Sequence, residues 1–275
     1  MRPYAKAAAV QTVLFGGMIV SLIPFLWMLS TSLKDPGEVM LYPPRWIPSV
    51  VHWENYLAVW RVIPFATFLK NTVLVTVLCI AGELLTASMA AYAFARLRFR
   101  GKTILFWLVL STMMLPGQVT MIPVFILFNA LGWVDTLKPL IVPSFLGGGA
   151  FYIFLLRQFF TSLPIELDEA AKIDGCSPLG IYWRVILPLS KPALATVAVF
   201  SFVEHWNDFM RPLIYLNSVE KQTIAVGLRW FQGQHGTDFH WLMAAATMAL
   251  LPVLIIFFVA QRYFVRGIAM TGMKG

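Results

Sequence analysis

The sequence predicts an all-α membrane protein with six transmembrane helices, and two observations carry that expectation. Hydrophobic residues make up 59% of the 275-residue chain and charged residues 12%, against roughly 25% charged in a soluble domain. With a mean hydropathy of +0.75, the apolar surface exceeds what one core hides, so lipid must solvate the remainder. The apolar residues also gather into six stretches, 7–33, 71–95, 103–129, 140–156, 192–216 and 241–261. Each reaches the roughly 17 to 25 residues of a spanning helix, whereas a membrane-barrel strand needs only about 10 and alternates in polarity.

The first stretch follows Arg2 and Lys6, as the core of a secretory signal does, but it is far longer than the roughly 7 to 15 residues of such a core. It is expected to stay as helix one. Segment 34–70 holds Pro36, Pro43, Pro44, Pro48 and Pro64 with Trp46, Trp53 and Trp60, and tryptophan prefers the headgroup level, so this segment should lie on the membrane surface. In the second span Ala87, Ala90, Ala91 and Ala95 permit close helix approach. The third contains Leu115-Pro116-Gly117-Gln118 and Pro123, and the fourth Gly147-Gly148-Gly149. Breaks at membrane depth survive only against protein or a water-filled cavity, which makes Gly148 a candidate for a solute path. The fifth carries Glu204, His205, Asn207 and Asp208, polar groups that must face a cavity or one another.

Charge placement sets the topology. With the N-terminus inside, segments 1–6, 96–102, 157–191 and 262–275 hold 13 Lys and Arg in 62 residues, and the outer segments 34–70, 130–138 and 211–240 hold 8 in 76. The cluster Arg96, Arg98, Arg100, Lys102 weighs most, and both termini are expected in the cytoplasm. The net charge of +8 belongs to these span ends and not to one soluble face, so no nucleic-acid partner is expected. Cys79 falls in a span and Cys176 in a loop, which excludes a disulfide between them.

Catalysis finds no support. Gly101-Lys102-Thr103 looks like the end of a phosphate-binding loop, but the glycine that pattern needs five residues earlier is Arg96, and a short turn between spans is the wrong setting. His235, Asp238 and His240 have no standard metal-ligand spacing. No nucleophile, base and orienting group stand together. No catalytic residue, bound metal or cofactor is expected in this chain, and any ATP belongs to a partner.

Residues 164–189 form the most informative segment. Pro164 can open a helix that Gly175 closes, and Ser177-Pro178 supply a cap and a first-turn proline for a second helix, which ends as Leu187-Pro188 turn the chain back toward the membrane. Within it, Glu169-Ala170-Ala171, three residues, Gly175, nine residues, then Val185, Leu187 and Pro188 resemble the EAA loop of the inner-membrane permease subunits of ATP-driven importers. Trp206-Asn207-Asp208-Phe209 with Pro212-Leu213, Met114 to Gln118, the triple glycine before Phe151, and the ending Gln261-Arg262-Tyr263-Phe264-Val265-Arg266-Gly267 are similar to carbohydrate importer permeases, the group of the maltose transporter's smaller permease.

That resemblance implies a type I ABC importer permease (MetI-like) fold over a single domain, 1–275, in the inner membrane of a bacterial or archaeal cell. It implies a second, different permease, two ATPase subunits that bind the ATP, an extracytoplasmic solute-binding protein and a carbohydrate substrate. Glu169, Ala170, Ala171, Asp174, Gly175, Leu187 and Pro188 would then couple to the ATPase, and the tail from Arg266 to Gly275 would reach between the ATPase subunits. For the path, Glu204 and Asp208, four apart on one helix face, are expected at the cavity with Trp206 as an aromatic platform, and Asn207 bracing a neighbouring helix. Glu83, Glu204 and His205 stand where that group has neutral or small residues, and Arg211 where an aromatic residue is common. The solute is therefore left open between a sugar and a polyol or glycerophosphate compound. An ion-coupled carrier using Glu83, Glu204 and Asp208 as a proton relay would leave the EAA-like segment unexplained.

Overall fold

The structure, a computed structural model, describes the backbone of residues 2–233 and 236–271 and the side chains of 10–233 and 236–261. In chain order the helices are α1 (Arg2–Ser32), α2 (Pro36–Val39), α3 (Glu54–Val62), α4 (Phe65–Arg96), α5 (Lys102–Ser111), α6 (Gly117–Ala130), α7 (Lys138–Ile141), α8 (Ala150–Ser162), α9 (Glu166–Ile173), α10 (Pro178–Ile181), α11 (Leu187–Leu189), α12 (Lys191–Trp206), α13 (Met210–Tyr215), α14 (Ile224–Gly227) and α15 (Phe239–Thr271). A two-residue antiparallel pair, β1 (Gln232–Gly233) with β2 (Gly236–Thr237), precedes α15. Four of the described helical segments are long and apolar enough to span a bilayer, and two bent pairs bring the number to six if each pair is one span. The expected tail contact, from Arg266 to Gly275, lies outside the described side chains.

The chain forms two compact units, Met1–Ala66 with Gly227–Pro252, and Thr67–Val226 with Val253–Gly275. In the first, the segment after α1 folds onto that helix end. His52 N–H donates to Leu33 O at 3.0 Å, Asn55 Nδ2 donates to the carbonyls of Ser32 and Lys34 at 3.0 Å each, and the Trp27 and Trp46 rings meet edge to face at 5.0 Å. These hydrogen bonds satisfy the carbonyl of Ser32, the last of α1, and those of Leu33 and Lys34 just beyond it. Trp46, Trp53 and Trp60 stay exposed, as expected of a segment at headgroup level.

In the second unit the small face of α4 is the centre of packing. Ala87 and Ala91 are fully buried in a cluster with Tyr152, Ile153, Leu156 and Phe160 of α8, Ile181, Tyr182 and Ile186 after α9, and Ala193 and Val197 of α12. A second cluster joins Val75 and Cys79 of α4 to Phe128, Leu140, Tyr215 and Leu216.

The breaks are sharper than composition suggested. The third stretch is two helices bent by 100°, with Leu115 extended at φ −83°, ψ 115°, because a residue before proline is pushed out of the helical region. The fourth runs from Lys138 to Ser162 with an irregular passage over residues 146–149. The fifth, expected continuous over 192–216, stops at Trp206 and restarts at Met210. Pro212 explains the restart, since its ring would clash with the Asp208 carbonyl and it has no N–H to donate there in an unbroken helix.

Candidate functional site

Two sites of the second unit hold the candidate residues. The first is residues 164–189. Glu166, Asp168 and Glu169 occupy the first turn of α9 and Lys172 its last, charges of the sign each helix end favours. Gly175 adopts φ +79°. Its N–H donates to Lys172 O at 3.0 Å and that of Cys176 to Ala171 O at 2.9 Å, the two bonds of a Schellman stop. Ser177 Oγ then accepts from Gly180 N–H at 3.2 Å with Pro178 at the first helical position, so the expected cap is present. The chain turns later than Leu187-Pro188, however: Pro178–Leu189 and Lys191–Trp206 meet at 79° across the buried Ser190. Pro192 forbids a straight continuation there, while Pro188, lacking an N–H, follows a widened π turn at Tyr182–Ile186.

This hairpin has two faces. Glu169, Ala170, Asp174, Gly175 and Pro188 are exposed, Leu187 is half-buried, and Ala171 is buried; Ile173, Leu179 and Trp183 add apolar area to the outer face. The inner face is bonded to α4. Asp168 lies 3.8 Å from Arg96 Nε with both side chains about 95% buried, Arg96 Nη2 donates to Leu163 O at 2.7 Å, Tyr92 OH donates to Pro178 O at 2.9 Å, and the Ser88 and Tyr182 hydroxyls meet at 2.7 Å. Arg96 was legible in sequence only as a vote for topology; nothing local pairs it with Asp168.

The second site gathers the polar groups of the fifth stretch around Arg211. Its Nε donates to Asp208 Oδ2 at 2.6 Å, and its Nη2 lies 3.5 Å from Glu204 Oε1 and 3.3 Å from His205 Nδ1. A guanidinium only donates, so His205 Nδ1 accepts and its Nε2–H donates to Glu83 Oε1 at 2.9 Å. Ser144 Oγ donates to the same oxygen at 3.5 Å, and Tyr152 OH donates to Glu204 Oε2 at 2.8 Å. Glu83 and His205 are buried, whereas the side chains of Glu204 and Arg211 are 53% and 39% exposed.

Several expectations change. Glu204 and Asp208 do not share a helix face, because α12 ends between them; Arg211 brings them together. Asn207 is exposed, and its Nδ2 donates to Val203 O at 2.8 Å, so it braces its own helix end and not a neighbouring helix. Trp206, expected as an aromatic platform, is buried and stacks on Phe202 at 5.2 Å, so it presents no open ring face. Gly148 (φ +61°) lies in a close contact with α4, where a Cβ would come within 2.6 Å of Ala87 N. Its glycine is required by packing. Tyr152 was not anticipated, since one tyrosine in an apolar stretch carries no signal of its own.

A sequence model described as "Binding-protein-dependent transport system inner membrane component" matches residues 83–270. The chain belongs to that family. The permease is 32% identical to the arabinooligosaccharides transport system permease protein AraQ of Halalkalibacterium halodurans, across 93% of this chain and 92% of that one. It is 31% identical to the sn-glycerol-3-phosphate transport system permease protein UgpE of Yersinia pestis, across 92% of each. Its fold matches a chain of a bacterial ABC transporter involved in import of the acidic polysaccharide alginate, with a TM-score of 0.85 and 27% identity over 96% of this chain and 98% of the other. The permease is thus an integral membrane protein with the type I importer fold, a membrane-spanning subunit of an ATP-driven importer that works with a substrate-binding protein and partner subunits. Its family transports and does not catalyse.

Proposed function

We propose that the permease forms one half of the translocation path of a carbohydrate importer in a bacterial or archaeal inner membrane, beside a second, different permease. Both termini face the cytoplasm, an extracytoplasmic binding protein delivers the solute, and two ATPase subunits bind the ATP, one of them docking on residues 164–189. The observation that carries this reading is the two-faced hairpin: an outer face with Glu169, Ala170 and Gly175 exposed, and an inner face joined to α4 through Arg96, Tyr92 and Ser88. A displacement of the outer face by the ATPase pulls on α4 and, through the bend at Ser190, on α12, which carries Glu204.

The solute reading rests on charge. Glu83, Glu204 and Asp208 surround one guanidinium and an imidazole, a balance that suits the hydroxyls of a neutral sugar, which donate to carboxylates, and disfavours a phosphate. A polyol shares that chemistry; the glycerophosphate alternative does not. Stimulation of ATP hydrolysis in the reconstituted complex by a series of loaded binding proteins identifies the solute, and stimulation by a glycerophosphate-loaded protein alone overturns the carbohydrate reading. Gly175→Val tests the docking: loss of ATPase co-purification with the permease still in the membrane is expected, and unchanged co-purification and stimulation rule it out.

A further inference from the structure

The cluster of cations after α4 does not act as one group. Arg96 turns inward to Asp168, while Lys102 joins Arg157 of α8 in lining a cavity of about 200 Å³ with Phe94, Thr103, Phe106 and Trp107. Among the described residues, no carboxylate pairs with Lys102, Arg157, Arg98 or Arg100. Lys102 Nζ donates to Leu97 O at 2.9 Å and Ala95 O at 3.3 Å, and Arg157 Nε donates to Phe94 O at 3.2 Å with its guanidinium 4.1 Å from the Phe106 centroid. These contacts fix the two side chains without neutralising them, and like charges held side by side favour a bound anion. Gly101 caps the start of α5 at the same place, so the first N–H groups of that helix, which lack intrahelical partners, add to the positive field.

The anion must also suit an apolar flank. Ile104, Trp107 and Leu108 of α5 are 69%, 65% and 58% exposed immediately beside these cations, the arrangement of a headgroup pocket opening onto acyl-chain surface. From this juxtaposition we infer that Lys102 and Arg157 bind the phosphate of an anionic glycerophospholipid, with its chains along α5. Because α9 hangs on Arg96, six residues before Lys102, the bound lipid braces the helix end from which the coupling hairpin is held.

Native mass spectrometry of the full chain in detergent, with phosphatidylglycerol and phosphatidylcholine of identical chains in competition, tests this. Each basic group near an anionic lipid contributes a factor of about five, so with two such groups phosphatidylglycerol should be retained about 25-fold over phosphatidylcholine. Lys102→Gln and Arg157→Gln should each cut that preference about fivefold, Arg157→Lys should keep most of it, and Arg100→Gln, outside the pocket, should leave it unchanged. Equal retention of the two lipids by the unaltered chain overturns the inference without reliance on any variant. So does a preference that survives Lys102→Gln and Arg157→Gln together, and so does full displacement by inorganic phosphate or glycerol phosphate at millimolar concentration, which marks a site for free anions.

Discussion

Arg96 and Asp168, 3.8 Å apart and each about 95% buried, join the end of α4 to the first turn of α9. Arg96 Nε and Asp168 Oδ1 have no hydrogen-bond partner among the described residues, so the attachment depends on charge attraction and on the bond from Arg96 Nη2 to Leu163 O. Removing one member of a buried pair leaves the other uncompensated, at about 3 to 5 kcal/mol. Asp168→Leu and Arg96→Met should each lower stability by that order in detergent denaturation, and the two together should cost less than the sum of the singles. Additive losses would show that the two charges do not interact.

Gly148 and Gly175 both have left-handed backbones, at φ +61° and +79°, but a Cβ at Gly175 meets nothing within 4 Å and one at Gly148 meets the α4 backbone at 2.6 Å. Gly175→Ala should therefore cost only the conformational term, about 1 to 2 kcal/mol. Gly148→Ala adds overpacking and should cost about 3 kcal/mol or more. Thermal unfolding of the two variants in one detergent checks the order, and equal losses would remove the close approach of residue 148 to α4.

Arg211 and Glu204 face each other at 3.5 Å while half-exposed, so their coupling should be modest, about 1 kcal/mol in a double-mutant cycle of Glu204→Gln and Arg211→Gln. Tyr152→Phe, which deletes one hydrogen bond to Glu204, should cost about 1 kcal/mol. A cycle energy of zero would dissolve the cluster around Arg211.

Outside the spans, Asp135 accepts from Asn217 N–H at 3.0 Å and Ser218 N–H at 2.8 Å, from Ser218 Oγ at 2.5 Å and from Lys221 Nζ at 2.9 Å. The hydrogen bonds from Ser218, then Lys221 and Asn217, hold its carboxyl well below the ordinary aspartate value of 3.8. A lowered folded value means that the stabilisation is complete above the ordinary value and is lost as pH falls through the lower folded one. Asp135→Asn, which tolerates the φ of +58° here, should be less stable than the unaltered chain at pH 7, and the gap should narrow below about pH 4. A gap constant with pH would show that the charge contributes nothing.

The membrane class, the approximate places of the spans and the helical hairpin of residues 164–189 were all legible in the sequence. Burial in lipid is a sum over neighbouring residues, and a Schellman stop at Gly175 or a cap at Ser177 uses groups only a few positions apart. The same local logic placed the breaks at Pro116 and near Gly148 but not their angles, which depend on what the flanking helices meet. Tertiary structure alone decided which polar residues belong together. Tyr152 and Glu204 are separated by 52 residues and Glu83 and His205 by 122, and no periodicity couples such pairs. Arg96 read as one of four equivalent cations until packing buried it against Asp168 and left Lys102 beside Arg157. Glu204 and Asp208 read as partners by helical spacing until Pro212 broke the helix and Arg211 became the group that joins them. Hydropathy and caps are properties of adjacent residues, whereas the partner of a charge is chosen by whichever distant helix the small residues of α4 allow to approach.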